Sequence, residues 1–305
     1  MSSSAVTSDY IGRFAPSPTG DLHLGSLLVA VATQLQARRA GGQWLLRIED
    51  IDPPRVVAGA ASRIECSLRA HGLNWDGEVL HQSTRFDHYQ QIIDQLLASG
   101  DAYWCGCTRA ELPADGVYPG TCRDGLPAGK KPRAVRLRVS DRLVTFTDAI
   151  QGRQQQQLCR EVGDFVIRRA DGLPAYQLAV VVDDAEQGVT EVVRGADLLD
   201  STPRQIDLQH RLGYPQPDYL HLPLLIAPDG RKLSKQNFSD PLDNGQPLLG
   251  LFWVMSLLGH PPAANIANLE QFWRWAGTIW DPQRVPRRLH LHLGAGDKAV
   301  ILANS

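Results

Sequence analysis

Three groups of side chains in this sequence have the types and spacing that chemistry needs. The first lies in YIGRFAPSPTGDLHLGS, residues 10–26, where Pro16 and Pro18 fix a rigid turn that Thr19-Gly20-Asp21 completes. Leu24, Leu27, Leu28, Val31 and Leu35 then recur at helical spacing for one buried face, so His23, Gly25 and Ser26 stand at a helix start. Unpaired N–H groups and partial positive charge make such an end a natural seat for phosphate. Gly25 leaves the backbone open to a bulky ligand, and His23 adds a donor. The plain alternative is a Pro/Gly turn that only introduces a helix.

The second group is charged. Lys232 and Lys235 flank Leu233-Ser234 after the Pro228-Asp229-Gly230 turn, a spacing that brings two point charges onto one polyphosphate. Arg194 closes the run TEVVRG, where a guanidinium can clamp a carboxylate or phosphate bidentately; a surface arginine is the alternative. Glu49-Asp50 follow the run WLLRI and face a crevice if that run is a strand of a doubly wound sheet, or else cap a helix. The third group is Cys105, Cys107 and Cys122, in a Pro/Gly-rich stretch with little apolar periodicity. Three thiols in a loop without a core of its own suit a structural zinc ion. Its fourth ligand is open among Tyr118, Asp115, Asp124 and water. Cys66 and Cys159 read as ordinary half-buried thiols, and Arg284, Arg287 and Arg288 as a small basic cluster suited to RNA.

Alternating elements position these groups. The helix from Leu24 to Arg39 stops at Gly41-Gly42; residues 44–48 read as a buried strand, 55–73 as a helix, GEVLHQS as a short strand and 85–97 as an amphipathic helix. Such alternation predicts an α/β protein on a doubly wound, Rossmann-type parallel sheet with right-handed crossovers. Residues 133–182 turn β-rich and predict an antiparallel insertion returning to a core strand at 176–182. A strand ending at Arg194-Gly195, a helix carrying Ile206, Leu208 and Leu212, and the strand HLPLLI follow. Residues 248–258 and 269–280 predict helices whose tryptophans serve core or interface. The expected division is a disordered tail (1–9), the first half of a nucleotide-binding catalytic domain (10–100), a zinc-containing insertion (101–170), the second half (171–245) and a small helical C-terminal region (246–305).

Composition narrows the class. The chain has 305 residues, 43% apolar and 21% charged, as an ordinary globular protein does. No run approaches the 18 or so apolar residues of a membrane span, and MSSSAVTSD has neither the basic nor the apolar region of a secretory signal, so the cytoplasm is the expected compartment. A net charge of −2 argues against holding nucleic acid by bulk positive charge, leaving a few placed arginines. Five cysteines, an odd count, suggest thiols and metal rather than disulfides. A monomer is expected.

Four motifs stand in order: RFAPSPTGDLHLG, RIED, VVRGADLL and KLSKQ. With them the sequence resembles the catalytic half of the glutamyl-type class I aminoacyl-tRNA synthetases over residues 10–245. His23-Leu24-Gly25-Ser26 looks like the "HIGH" signature and Lys232-Leu233-Ser234-Lys235-Gln236 like the "KMSKS" loop, with Ser26 in place of a histidine and Gln236 in place of a serine. The resemblance implies activation of glutamate by ATP with Mg²⁺, His23, Lys232 and Lys235 acting on the phosphates and Gly25, Ser26 and Ser234 beside them. It nominates Arg13, Phe14, Ala15, Pro16, Ser17, Glu49, Tyr176 and Arg194 for glutamate. It also nominates Tyr118 to join Cys105, Cys107 and Cys122 around one structural Zn²⁺. Full-length members carry a large C-terminal anticodon-binding region, whereas residues 237–305 are all that follow the second signature here. The short form with this cysteine loop is similar to the glutamyl-queuosine tRNA(Asp) synthetases, a branch that attaches glutamate to the queuosine base of tRNA(Asp). The implied partners are ATP, L-glutamate and queuosine-bearing tRNA(Asp). The alternatives are a truncated synthetase charging another acceptor and a non-catalytic tRNA-binding relative.

Overall fold

The computed structural model describes residues 9–114, 116–226, 241–262 and 265–292. Asp115, Lys232, Ser234, Lys235, Gln236 and residues 1–8 of the expected tail lie outside them. The chain opens with β1 (Ile11–Phe14), α1 (Leu24–Arg39), β2 (Gln43–Ile48), α2 (Ala60–Ala70), β3 (Leu80–His81) and α3 (Phe86–Ala98). It continues with β4 (Ala102–Cys105), β5 (Ala134–Leu137), β6 (Leu143–Asp148), β7 (Gly152–Gln157), α4 (Leu158–Glu161) and β8 (Val166–Arg168). Then come α5 (Tyr176–Glu186), β9 (Glu191–Gly195), α6 (Thr202–Leu212), β10 (Asp218–Leu222), β11 (Leu224–Ile226), α7 (Pro247–Leu257), α8 (Leu269–Ile279) and β12 (His290–His292).

The Gly41-Gly42 stop shows how sequence sets the first unit. Gly41 takes φ +68°, and a Cβ on Gly42 would lie 2.2 Å from the Tyr10 carbonyl oxygen. The chain therefore reverses tightly and lays β2 parallel to β1, pairing Ile11 with Gln43 and Phe14 with Leu46. β3 adds to β2 in the same direction. On the other edge of β1, Thr190 N–H donates to the Ile11 carbonyl at 2.9 Å and the Arg13 side chain reaches the Val193 carbonyl at 3.4 Å, so β9 runs alongside. β9 pairs parallel with β10, β10 with β6, and β7 closes an antiparallel hairpin on β6. Two hydrogen-bonded sheets, in the orders 3-2-1 and 9-10-6-7, thus meet side by side at β1 and β9, where the order reverses. At such a switch point a doubly wound sheet opens a crevice at its carboxyl ends.

Two expectations are revised by packing. Helix α1 was expected to bury one face; it is sandwiched between β1, β2 and β9 on one side and α7 and α8 on the other, which buries Ala30, Ala32 and Ala37 as well as its leucines. Residues 176–182 form the start of α5, not a core strand. A short apolar run fits either form. A helix turns consecutive side chains by about 100°, and that sends Asp183 to Gln82, Arg85 and Tyr89 while Asp184 goes to Arg13 and Arg47. The β-rich stretch also divides: β4, β5 and β8 form a separate antiparallel sheet beside the cysteine loop, whereas β6 and β7 extend the main sheet. The tryptophans of the last helices do serve the core, with Trp273 donating to the His71 carbonyl and Trp280 to Gln36. No described helix is long and apolar enough to cross a membrane.

Candidate active site

Two adjoining cavities of about 270 and 260 Å³ open at the β1/β9 switch point, and Phe14, Ala15, Ser17, Val29, Arg194 and Leu198 line both. The smaller is completed by Arg13, Glu49, Tyr176 and Val193. The larger runs past Pro16 and the turn to His23, Gly25 and Ser26, with Gly195, Asp197 and Pro223 opposite. Every described residue that the sequence nominated for glutamate or nucleotide is gathered here. A backbone hydrogen bond from Glu49 N–H to the Pro16 carbonyl at 3.0 Å ties the turn to the end of β2.

The helix start is not an open row of donors. His23 caps α1 with its own ring: Nδ1 accepts from Gly25 N–H at 3.1 Å and from Ser26 N–H at 3.4 Å. That places the proton of the neutral imidazole on Nε2. Gly25 has a corresponding reason. A Cβ there would meet the His23 ring at 3.1–3.2 Å, so glycine makes room for the cap as well as for a ligand.

Under the smaller cavity lies a buried ionic network. Arg13 is 3% exposed and binds Asp184 through both edges, Nε–Oδ1 at 2.9 Å and Nη2–Oδ2 at 3.2 Å. Arg47, fully buried, shares Asp184 at 2.6 Å, donates to Gln187 at 2.7 Å and lies 3.7 Å from Glu49. Burial opposes ionisation of Asp184, but Arg13 and Arg47 outweigh it and hold the carboxyl below the usual range. Glu49 differs: burial dominates despite Arg47 and Arg13, and its carboxyl is pushed up to about 7. The acidic pair therefore splits. Glu49 faces the cavity, while Asp50 accepts from Ser83 N–H and its hydroxyl, both at 2.7 Å, and caps the turn before α3.

Arg194 is held from the opposite strand by other means. Its Nε donates to His221 Nε2 at 3.1 Å, and its Nη2 to Thr202 Oγ1 at 2.9 Å and the Leu198 carbonyl at 3.3 Å. Nη1 is buried with no hydrogen-bond partner among the described residues.

The cysteine loop closes on itself in the way a metal would require. The three thiol sulfurs lie within 4.8 Å of one another, Cys107 Sγ to Cys122 Sγ at 3.6 Å. Tyr118 Oη is 3.3 Å from Cys105 Sγ and 3.6 Å from Cys107 Sγ. Tetrahedral bonds of about 2.3 Å to sulfur imply ligand separations of roughly 3.5–3.8 Å; the Cys107–Cys122 and Cys107–Tyr118 separations of 3.6 Å fall in that range, and the remaining donors are close enough to draw in. Arg136 donates to Cys105 Sγ at 3.3 Å and stacks 3.7 Å from the centre of the Tyr118 ring. Cys66 is exposed on α2 rather than half-buried; Cys159 is half-buried.

A family model for the catalytic domain of the class I tRNA synthetases (E and Q) matches residues 11–115 and 123–265. The chain belongs to that family. This synthetase is 52% identical over 284 residues to the glutamyl-Q tRNA(Asp) synthetase of Chromobacterium violaceum, a match covering 91% of this chain and 95% of the relative. The glutamyl-Q tRNA(Asp) synthetase of Pseudomonas aeruginosa is likewise 52% identical, over 285 residues, 92% of this chain and 97% of its own. The glutamate tRNA ligase of Elizabethkingia meningosepticum, solved in complex with its amino acid, superposes with a TM-score of 0.79 at 28% identity. That match covers 96% of this chain and 68% of the ligase. The motif-based resemblance is thereby borne out at family level.

Sequence reasoning missed the groups behind the synthetase's site: Arg47, Asp184, His221, Asp148 and Thr202. One signal was present. The charges of VVVDD interrupt an apolar run, and a carboxylate buried in such a run needs a cation. His221 in DYLHL carries no such mark, because only the pairing of β9 with β10 sets it opposite Arg194.

Proposed function

We propose that this synthetase activates L-glutamate with ATP and transfers the glutamyl group to the queuosine base of tRNA(Asp). The observation that carries the reading is identity of 52% across 95% of the length of a glutamyl-Q tRNA(Asp) synthetase, together with a cleft at the switch point that offers an arginine and a carboxylate to an amino acid. The α-carboxylate of glutamate attacks the α-phosphate of ATP in line and pyrophosphate leaves. A carboxylate is already a nucleophile at neutral pH, so the protein's work is positioning and charge stabilisation. A hydroxyl of the acceptor then attacks the acyl-adenylate and AMP leaves.

In this reading Arg194 receives the side-chain carboxylate and Glu49 the ammonium. Tyr176 and the backbone of Phe14, Ala15, Pro16 and Ser17 shape the rest of the amino-acid pocket. Arg13, paired with Asp184, forms a fixed wall beneath it. His23 offers its Nε2 proton to the phosphates, Gly25 and Ser26 border them, and Lys232, Ser234 and Lys235 are assigned to the same phosphates by the family motif. Mg²⁺ bound to ATP neutralises phosphate charge. Cys105, Cys107, Cys122 and Tyr118 hold one Zn²⁺, which staples a loop that has little apolar core. Elemental analysis of purified protein checks this; absence of zinc with freely alkylated thiols overturns it.

The deciding experiment is transfer of labelled glutamate to purified tRNA(Asp) with and without queuosine. Labelling that requires queuosine is the expected result. Labelling independent of it assigns a different acceptor, and no labelling despite adenylate formation removes tRNA(Asp) from the reading.

A further inference from the structure

The best-built feature outside the nominated residues lies directly behind Arg194. Strand register sets His221 of β10 opposite Arg194 of β9, and Tyr219 of β10 opposite Asp148 at the end of β6. His221 is fully buried and Asp148 is 1% exposed. Asp148 accepts from His221 Nδ1 at 2.6 Å and from the backbone N–H groups of His221, Ile150 and Gln151 at 3.0, 3.0 and 2.7 Å. A carboxylate so surrounded is an acceptor only, so the imidazole proton must sit on Nδ1. The lone pair on Nε2 then faces Arg194 Nε–H at 3.1 Å. Burial, helped by the charge of Arg194, lowers the His221 pKa against the pull of Asp148, and the ring stays neutral.

The consequence is an arginine locked in direction with no carboxylate paired to it among the described residues. Nε is held by His221, and Nη2 by Thr202 and the Leu198 carbonyl. Of the donors of this fork, Nη1 is buried without a partner among the described residues, on a residue that lines both cavities. We propose that His221, oriented by Asp148, is a positioning residue that fixes Arg194 as the receptor for the substrate's side-chain carboxylate and thereby sets selectivity for glutamate over glutamine. A carboxylate in place of His221 would neutralise Arg194 as Asp184 does Arg13. A neutral acceptor orients the cation and leaves its charge for the substrate. An amide side chain pairs less well with that fixed cation, which is the source of discrimination.

The inference rests on the glutamate-activation reading, and the test separates the two. Glutamate-dependent ATP–pyrophosphate exchange is measured on the full chain for wild type, His221→Leu, His221→Gln and Thr202→Val, with glutamine as the competing substrate. His221→Leu is expected to raise KM for glutamate about 10- to 100-fold and to lower glutamate-over-glutamine selectivity, with KM for ATP unchanged. His221→Gln, whose amide oxygen can accept from Nε, is expected to recover most of the loss. Thr202→Val keeps shape and removes one contact to Nη2, so it is expected to move the same parameters a few-fold and to decide the matter if His221→Leu does not fold. Unchanged glutamate KM and selectivity in folded variants overturns the positioning role, as does an equal loss for glutamate and ATP. Wild type that exchanges with no amino acid overturns the activation reading itself.

Discussion

Arg13 and Arg194 lie near the ends of neighbouring strands and face one cleft, yet the protein holds them in opposite ways. Arg13 is paired with Asp184, which Arg47 shares, so the β1 side has its ion pairs in place before any ligand arrives. Arg194 on the β9 side is oriented by an imidazole, a hydroxyl and a carbonyl. A pocket for a dianionic amino acid needs both kinds: a paired network gives rigid walls, and a cation that no described carboxylate pairs gives the ligand something to bind. Position at a strand end is therefore not enough to assign an arginine its role; what stands behind it decides.

The contrast can be broken in four ways. Asp184→Ala leaves two arginines buried without their carboxylate and should cost about 3–5 kcal/mol of stability. Denaturant unfolding checks this, and a loss under about 1 kcal/mol would mean that the network is not structural. Arg194→Ala should leave the fold intact and reduce glutamate-dependent ATP–pyrophosphate exchange by about 30- to 1000-fold in kcat/KM, or roughly 2–4 kcal/mol. Near-normal exchange would remove Arg194 from the pocket.

A third prediction concerns Glu49, whose carboxyl is pushed up to about 7 by burial. Only its ionised form attracts an ammonium, and that form declines as pH falls through this value. KM for glutamate should therefore rise up to about tenfold per pH unit below 7, with proton release when glutamate binds near neutrality. Glu49→Gln should flatten the profile and raise KM throughout; a flat wild-type profile would refute the assignment. The smallest effect is expected at Gly25→Ala, where the new Cβ crowds the His23 ring, weakens a cap worth about 1 kcal/mol and shifts KM for ATP more than KM for glutamate.

Much of the nucleotide end of the site was legible along the chain, because local rules govern it. A Pro/Gly turn, a histidine and a glycine at a helix start and an apolar helix succeed one another within residues 10–39, and no distant partner is needed to read them. Glu49 and Arg194 were legible as polar ends of apolar strands. Helix α5 was not: its apolar run suits a strand or a helix, and ion partners from β1, β2 and the turn before α3 settle the form.

The sequence by itself determined the strand–turn–helix unit around His23, the alternation that builds a parallel sheet, the cluster of thiols and the family motifs. These depend on neighbours within a few residues or on order along the chain. Only the tertiary structure decided that Asp184 neutralises Arg13, that His221 and Asp148 stand behind Arg194, and that Gly25 serves the histidine cap as well as the cleft. The physical reason is that the charge on a buried group is set by atoms a hydrogen bond away, and here Asp184 stands 171 positions from the Arg13 it pairs with.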